Sequence, residues 1–352
     1  MKIDNFKISK NNPTYFIADI AANHDGDINR AVDLIYSCAE AGANAAKFQH
    51  FHAKTIVSDS GFKSLVDKKS HQSKWKKSVF DVYKDAEVDL NWTEKLKDTC
   101  KKAGITFFTS PYSMNLVDEV DQYVPAYKIG SGDITWIEII KYIASKNKPY
   151  ILATGASSID DVDRAVKEAL KINSNLGLMQ CNTNYTASLE NFKYIHLNVL
   201  KKYSEMYPEL ILGLSDHTPG HATVLGAVTL GARLIEKHYT DDNDRVGPDH
   251  LFSMNPDSWK EMVLRTRELE YALGSDVKKI EENEKETVIV QRRSIWLKKD
   301  INSGDELNPA HFEVLRPSPE DSIQPYEISN YIGKKIKNSL KKGQYLRKVD
   351  FE

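Results

Sequence analysis

Residues 15–51 have the sequence YFIADIAANHDGDINRAVDLIYSCAEAGANAAKFQHF, in which an amphipathic stretch separates two short apolar runs. The first run is YFIADIAA, from Tyr15, and the second is AAKFQHF, from Ala45. Between them, apolar residues of Ile28 to Ala41 recur at helical spacing, and Gly42 follows, which is typical of an amphipathic helix that ends at a glycine. The stretch therefore predicts a strand, a helix and a second, parallel strand.

The same alternation continues to about Gly274, with six further apolar runs. These are TFFTSP (Thr106), YKIGSGD (Tyr127), YILATG (Tyr150), LGLMQC (Leu176), LILGLSD (Leu210) and LIEKHYT (Leu234). Ile159 to Leu170 repeats the helical pattern, with Ser157 or Ser158 as its cap. Eight strand–helix units favour a (β/α)₈ TIM barrel over an open doubly wound sheet, which shares the local pattern. His52 to Leu90 is too long for a simple loop and is interpreted as a polar insertion.

The C-terminal part of the chain has a different pattern. A charged stretch, from Glu281, is followed by an internal repeat with an offset of 39 residues. Its positions are Ile301, Gly304, Leu307 and Phe312, which recur as Leu340, Gly343, Leu346 and Phe351. A repeat this regular predicts a small pseudo-symmetric β module. We therefore predict a barrel domain over residues 1–280, a linker over 281–290 and a β-rich module over 291–352.

Composition excludes several classes of protein. The formal net charge is -2, and no stretch concentrates enough Lys and Arg to predict nucleic-acid binding. No apolar run has the length of a signal peptide core or a membrane span. The three cysteines, Cys38, Cys100 and Cys181, are widely spaced and odd in number, which favours reduced thiols. We expect a cytoplasmic protein that binds neither nucleic acid nor membrane.

In a barrel of this kind, polar side chains at the carboxyl ends of the strands predict the active site. Every predicted strand supplies at least one. In chain order they are Asp19, Asn23, His24, Lys47, Gln49, Ser110, Lys128, Ser131, Asp133, Thr154, Asn182, Asn184, Tyr185, Ser215, Asp216, His217, Glu236 and His238. Asp216 points away from His217 by strand alternation, so we expect it to have a structural role.

The charged members of this set indicate particular chemistry. Lys47 and Lys128 lie in apolar runs, where two cations beside several hydroxyls predict an anionic ligand with a phosphate and a carboxylate. The alternative is that each lysine is ion-paired. His217 and His238 end adjacent strands and predict a catalytic metal site with open positions.

Two other acids complete the predicted chemistry. Asp19 and Asp133 are candidates for general acid and base, or for ion pairs with the two lysines. Asp249 is an acid in a loop, DRVGPDH, and faces either solvent or substrate.

Several of these motifs together resemble the sialic acid synthase family, which includes N-acetylneuraminate, legionaminate and pseudaminate synthases. The motifs are IADIAANHDGD (Ile17), AAKFQHF, PAYKIGSGD (Pro125), ILATGAS (Ile151), GLSDHT (Gly213), IEKHYTDD (Ile235) and GPDHLFSMNP (Gly247). The C-terminal repeat, with EVLRP from Glu313, is similar to the family's antifreeze-like (SAF) domain. The resemblance covers nearly the whole chain.

The resemblance implies a reaction and a set of site residues. It implies condensation of phosphoenolpyruvate with an N-acylated hexosamine, and a divalent metal, Mn²⁺ or alternatively Mg²⁺ or Co²⁺, on His217 and His238. Lys47 and Ser110 match residues that hold the phosphoenolpyruvate carboxylate. The matches to the phosphate pocket are Lys128, Ser131, Thr154 and Ser215. The matches to sugar contacts are Gln49, Tyr185, Asp249 and Arg316, of which Arg316 comes from the C-terminal domain of the other subunit in a domain-swapped homodimer.

The sequence also departs from the family pattern. Asp19 and Asp133 stand where the family usually has glutamate, which shortens each carboxylate by one methylene. In CNTNYT, Thr183 aligns with the family's asparagine, so Asn182 or Asn184 takes over its contact. Two other functions remain open: a synthase that uses a phosphorylated aldose, and a sugar-binding barrel without turnover.

Overall fold

The computed structural model describes residues 1–65, 72 and 75–352. These residues divide into two compact units, Met1–Gly274 and Ser275–Glu352, and each unit has its own hydrophobic core. No helix among the described residues combines the length and the apolar character that crossing a bilayer requires.

The first unit is built around a closed barrel of eight parallel strands. The strands are β3 Tyr15–Asp19, β4 Ala45–His50, β5 Thr106–Pro111, β6 Tyr127–Ile129, β7 Tyr150–Ala153, β8 Leu176–Cys181, β9 Ile211–Asp216 and β10 Leu234–His238. Strand β10 pairs with β3 and closes the barrel, which confirms the predicted (β/α)₈ architecture and excludes the open sheet. A short antiparallel pair, β1 Lys2–Ile3 and β2 Phe6–Lys7, precedes the barrel.

Helices connect the strands. They are α1 Ile28–Glu40, α2 Ala53–Ile56, α3 Asp59–Ser64, α4 Val79–Asp85, α5 Thr93–Ala103, α6 Met114–Asp121, α7 Ile137–Ser145, α8 Ile159–Leu170, α9 Val199–Met206, α10 Ala222–Thr229 and α11 Pro256–Leu273. Asp27 caps α1 by accepting a hydrogen bond from the Asn29 amide, and the apolar face of α1 is buried as predicted. Ser158 caps α8 in a reciprocal capping box with Asp161.

The predicted insertion between β4 and α5 is partly helical. It contains α2, α3 and α4, and it ends in a short 3-10 helix, Leu90–Trp92. Residues 66–71 and 73–74 of this insertion lie outside the described residues. The insertion follows the carboxyl end of β4, where loops of a barrel carry function.

A buried ion pair lies on the outer side of β9 and β10. Asp216 accepts hydrogen bonds from the ammonium of Lys237 and from the hydroxyls of Thr218 and Thr223. Lys237 also donates to the Thr218 carbonyl at 2.5 Å. Each buried charge is therefore paired, which avoids the large cost of an uncompensated charge. Asp216 thus has the structural environment that strand alternation predicted.

The second unit contains the predicted repeat. Its two repeats face each other through an antiparallel bridge in which Ile301 and Leu340 exchange backbone hydrogen bonds at 3.0 and 2.9 Å. Gly304 and Gly343 both have φ +84°, a left-handed conformation that glycine adopts without steric cost. The same sequence offset therefore produces the same turn twice.

The remaining elements of the second unit are short. They are α12 Lys285–Gln291, β11 Ser294–Leu297 and β12 Phe312–Leu315, with 3-10 helices at Glu282–Glu284, Pro325–Asn330 and Lys348–Asp350. Strands β11 and β12 pair antiparallel. The segment predicted as a linker, 281–290, is therefore mostly helical, and almost all of its residues are exposed.

Close packing of β9 against β10 depends on the absence of a side chain at Gly213. A Cβ atom at Gly213 would lie 2.5 Å from the Leu234 carbonyl oxygen and 3.0 Å from Met179 Cγ. The Leu234 carbonyl belongs to the backbone of a paired strand, so it cannot move aside as a flexible side chain could.

We therefore expect Gly213→Ala to lower the free energy of unfolding by about 1–3 kcal/mol or more, the usual cost of overpacking. Chemical denaturation measures this change. Gly132→Ala is the matched control, because an added Cβ there meets nothing within 4 Å. Equal stability of the two variants would contradict the packing argument.

Candidate active site

A cavity of about 420 Å³ lies at the carboxyl ends of the barrel strands. Of the residues predicted to act in catalysis or to bind substrate or metal, twelve line it. They are Asp19, Lys47, Gln49, Ser110, Lys128, Ser131, Asp133, Tyr185, Ser215, His217, His238 and Asp249. Because they come from seven of the eight strands or from the loops that follow them, the closed barrel itself brings them together.

Strand register determines which of these residues are neighbours. His238 of β10 is paired with Asp19 of β3, and Asp19 with Lys47 of β4. On the other side of β10, Glu236 is paired with Ser215 of β9. Alternate residues of each strand face inward, so these pairings bring the charged groups close together inside the barrel.

Asp19 is the centre of one half of these charged groups. Its Oδ2 atom accepts from Lys47 Nζ at 2.6 Å and from Gln49 Nε2 at 3.0 Å, and it lies 3.6 Å from His238 Nε2. Burial alone would raise the pKa of Asp19, but Lys47 and His238 hold it below its ordinary value. Asp19 is therefore a carboxylate, and the ion-pair interpretation holds for Asp19 and Lys47.

Glu236 is the centre of the other half. Its Oε1 atom accepts from Lys128 Nζ at 2.6 Å and from the Ser215 hydroxyl at 3.1 Å. Its Oε2 atom lies 3.9 Å from Lys47 Nζ and has no hydrogen-bond partner among the described residues. Glu236 thus links the two lysines, and the charges alternate along Asp19, Lys47, Glu236 and Lys128.

The imidazole rings of His217 and His238 lie with their centroids 5.3 Å apart. His217 Nδ1 is 2.8 Å from the Asn182 carbonyl oxygen, to which it donates, so Nε2 carries the lone pair. Burial lowers the pKa of His238, and its buried Nδ1 has no hydrogen-bond partner within the described part of the chain. Tyr185 packs edge-on against His217 at 4.4 Å between centroids.

Asp133 has a different environment from Asp19. Its side chain has no hydrogen bond or ion pair with any described residue, and burial raises its pKa to about 6. The short 3-10 helix Ser131–Asp133 carries it into the cavity. Ser131 Oγ accepts a hydrogen bond from the Gly155 amide at 2.9 Å. Asp133 therefore has a pKa near neutrality, as a proton-transfer group requires.

Four predicted residues do not line this cavity. The Thr154 hydroxyl donates to the Met179 carbonyl at 2.9 Å and accepts from Tyr203 at 2.9 Å, so it is fully engaged with β8 and α9. Asn182 contributes its backbone carbonyl to His217, and Asn184 is exposed and accepts from Thr186. Arg316 is an exposed residue of the second unit, directly after β12.

Glu236 was predicted as one of the polar strand-end residues but was given no chemical role, although its position two residues before His238 indicates the same inward face. Two further lining residues were not predicted from the sequence. Tyr112 and Cys181 also line the cavity, and the Cys181 thiol hydrogen-bonds to His217 and Ser131. Tyr112 follows an apolar run and Cys181 ends one. An aromatic ring or a thiol at such a position is equally typical of the hydrophobic core, so the sequence did not indicate that they line the cavity.

The insertion contributes the apolar part of the cavity. Its lining residues include Ile56, Val82 and Tyr83, which adjoin Phe51 at the end of β4. The Phe51 ring lies 5.3 Å from Tyr83 and 6.1 Å from Tyr112, measured between centroids. One wall of the cavity is therefore aromatic and aliphatic. The floor of the cavity, formed by Asp19, Lys47, Lys128 and Glu236, is charged.

Comparison with known proteins identifies the family of the chain. The model of the NeuB family matches residues 34–278, and the model of the SAF domain matches residues 292–352. The chain is 33% identical to N,N'-diacetyllegionaminic acid synthase of Legionella pneumophila over 352 residues, which covers 98% of this chain and 97% of that protein. It is 30% identical to a pseudaminic acid synthase of Campylobacter jejuni, with both chains covered completely.

A solved structure gives the same result. The N-acetylneuraminic acid synthetase of Leptospira borgpetersenii, in complex with citrate, superposes with a TM-score of 0.71 at 29% identity, covering 82% of this chain and 94% of that chain. The family model covers more than half of the chain, and full-length relatives are named as synthases. The chain belongs to the NeuB family, ends in an SAF domain and is an enzyme of the sialic acid synthase type.

Proposed function

We propose that this enzyme condenses phosphoenolpyruvate with the open-chain aldehyde of a neutral N-acylated hexosamine and produces a nonulosonic acid and phosphate. The observation that carries the proposal is the floor of the cavity, where two buried lysines lie beside a pair of histidines. The family membership supports the product class, because its relatives are named as synthases of such acids.

Phosphoenolpyruvate is assigned to the floor. Lys47 and Lys128 are both almost fully buried, and Ser110 and Ser215 lie beside them. A phosphate and a carboxylate need such charge-assisted donors when they are removed from water. Asp19 and Glu236 hold the two ammonium groups in place before the ligand arrives, so little reorganisation is needed on binding.

A divalent cation, such as Mn²⁺, is assigned to His217 and His238. The donor set fits, because His238 Nδ1 is buried with no hydrogen-bond partner among the described residues, and the donation from His217 Nδ1 to the Asn182 carbonyl leaves Nε2 as the nitrogen that can bind a metal. No third His, Cys, Asp or Glu completes a three-residue metal site among the described residues. Remaining positions would then belong to water and substrate. A bound cation would act as a Lewis acid toward a carbonyl oxygen.

The acceptor sugar is assigned to the outer part of the cavity, near Gln49, Tyr185 and Asp249. The described residues that line the cavity include only two Lys or Arg side chains, Lys47 and Lys128, and carboxylates engage both. A second phosphate on the acceptor would therefore meet Asp133 and Asp249 without a cation to offset the repulsion. This charge distribution favours a neutral acceptor over a phosphorylated aldose.

The reaction balances with these groups. Carbon 3 of phosphoenolpyruvate forms the new bond to the aldehyde carbon, and the aldehyde oxygen gains a proton. Water adds at carbon 2, and the bond from carbon 2 to the phosphate oxygen then breaks to give a keto acid and phosphate. Asp133, with its pKa near neutrality, is assigned to proton transfer, and Lys47 and Lys128 stabilise the developing negative charge.

The SAF domain is also expected to contact the acceptor sugar. We propose a homodimer in which the SAF domain of one subunit closes the cavity of the other and presents Arg316 to the acyl group. Arg316 is exposed and uses none of its side-chain nitrogens in a hydrogen bond or ion pair with the described residues, so its guanidinium is free to bind a ligand. A planar guanidinium suits an acyl oxygen.

Phosphate release tests the proposal. Enzyme with Mn²⁺ and phosphoenolpyruvate should release phosphate when N-acetylmannosamine or a related 2-acylamino hexose is added, and not with arabinose 5-phosphate. Release only with the phosphorylated aldose would overturn the acceptor assignment. Release with neither class of acceptor would favour a sugar-binding barrel without turnover.

The metal assignment makes a separate prediction. His217→Ala and His238→Ala should each weaken Mn²⁺ binding, measured by calorimetry, by at least about tenfold, because each removes one of two protein ligands. Circular dichroism should show an intact fold. His221→Ala is the matched control, since this nearby histidine does not line the cavity. Unchanged Mn²⁺ affinity in both variants would disprove the site.

The role of Arg316 predicts complementation between subunits. Arg316→Ala should raise the KM of the acceptor by the equivalent of roughly 1.5–3 kcal/mol and leave that of phosphoenolpyruvate nearly unchanged. Mixing Arg316→Ala with His217→Ala subunits should restore activity, because some dimers then contain one intact composite site. No recovery after verified subunit exchange, or a monomer in solution, would contradict the swapped arrangement.

Asp133 predicts a pH dependence of stability. Its pKa rises from 3.8 to about 6 on folding, so between these pH values the folded chain binds more protons and stability falls as pH rises. The full shift corresponds to roughly 3 kcal/mol. Asp133→Asn should therefore be more stable than the wild type at pH 7 but not at pH 4, by denaturant titration. Asp33→Asn, on exposed α1 surface, is the control, and parallel pH profiles for wild type and Asp133→Asn would refute the argument.

A further inference from the structure

The loop 239–255, between β10 and α11, carries Asp249 to the mouth of the cavity. Much of this loop is solvent-exposed, including Val246 and Leu251. It follows His238 directly and returns to the barrel through a bridge between Tyr239 and Met254. A long exposed loop of this kind needs specific contacts if it is to hold a side chain at a fixed place.

Several of those contacts converge on one carboxylate outside the cavity. Asp25, in the loop after β3, accepts hydrogen bonds from Arg245 Nε at 2.9 Å and from Arg245 Nη2 at 2.7 Å. Its other oxygen lies 2.9 Å from His250 Nε2, and Arg30 Nε is 3.1 Å from Oδ2. Asp25 has φ +52°, a left-handed conformation that aspartate tolerates better than most residues. It does not line the cavity.

His250 connects Asp25 to other residues of the loop 239–255. Its ring is fully buried, and Nδ1 lies 2.7 Å from the Thr240 hydroxyl. Its carbonyl oxygen accepts from Asn243 Nδ2 at 2.8 Å. Gly247 covers the ring so closely that a Cβ there would lie 2.6 Å from His250 Cδ2. The ring therefore has one position, with Asp25 on one nitrogen and Thr240 on the other.

Asp249 precedes His250 in the chain and points the other way, into the cavity. Its Oδ2 atom accepts from the Ala22 amide at 3.2 Å and lies 3.7 Å from His238 Nδ1. These contacts alone are long, and both belong to one oxygen. The shorter contacts of the loop are those that reach Asp25 from Arg245 and His250, and those of Asp241 with Arg30, which itself contacts Asp25.

We propose that Asp25 is a positioning residue, which fixes the loop 239–255 through Arg245 and His250 and thereby sets the position of Asp249 over the acceptor. Its kinetic consequence rests on the proposed function, in which Asp249 contacts the acceptor and phosphoenolpyruvate lies deeper. Loss of the anchor therefore weakens acceptor binding selectively, because a small displacement of a contact group is costly while the floor is unchanged.

Two variants and a control test this inference. Asp25→Ala removes every contact, and Asp25→Asn keeps the size and the left-handed tolerance but removes the charge. Glu268→Gln is the control, because it removes a carboxylate from an exposed arginine pair on α11 with Arg265. The measurements are kcat and both KM values, together with hydrogen–deuterium exchange of peptides that cover residues 240–252.

Asp25→Ala should raise the acceptor KM at least about tenfold and leave that of phosphoenolpyruvate within about twofold, while the loop amides exchange faster. Asp25→Asn should give a smaller change of the same kind, and Glu268→Gln none. Unchanged exchange in Asp25→Ala would overturn the inference. Equal increases in both KM values, or faster exchange with an unchanged acceptor KM, would also overturn it.

The same experiment separates this inference from the proposed function. If the wild-type enzyme turns over but the variants lack the selective rise in acceptor KM, only the positioning role of Asp25 fails. If the wild-type enzyme has no turnover with any acylated hexosamine, the proposed function fails, and the positioning of an acceptor contact fails with it. The exchange of the loop amides then still shows whether Asp25 anchors the loop.

Discussion

The structure of the site depends on four buried charges that alternate in sign inside the barrel. Asp19, Lys47, Glu236 and Lys128 are each at most 4% exposed. Burying any one of them alone would cost several kcal/mol, and removing one partner leaves the others uncompensated. The series is therefore stable only as a whole, and the barrel must hold its strands in one register to form it. The two ammonium groups are thus in place before an anion binds.

Sequence alone predicted the closed barrel and most charged residues that line the cavity, because inward-facing polar residues at strand ends follow directly from strand alternation. It did not predict which lysine pairs with which carboxylate. Lys128 pairs with Glu236, and not with Asp133, because the partner depends on register across strands that are distant in sequence. For the same reason Asp133 has no partner, and its pKa rises while that of Asp19 falls.

Two further features of the structure could not be predicted from a single sequence. Thr154 ends a strand as predicted, yet its hydroxyl bonds to Tyr203 on a helix, and strand pattern cannot show which way a side chain at a strand end turns. The sequence pattern gave Asp25 no individual role, although it contacts two residues more than two hundred positions away. Loop contacts of this range depend on how the barrel closes. The repeat of the SAF domain, by contrast, could be recognised in the sequence because both copies have a glycine at the same turn.

In the proposed reaction, this cavity joins phosphoenolpyruvate to a neutral acylated hexosamine. The most direct test is mass spectrometry of the products from ¹³C-labelled phosphoenolpyruvate and a panel of 2-acylamino hexoses. We expect a keto acid that contains all carbons of the hexose and the three labelled carbons, with one phosphate released for each acid formed. Labelled pyruvate alone, or incorporation only into a phosphorylated aldose, would contradict this reaction.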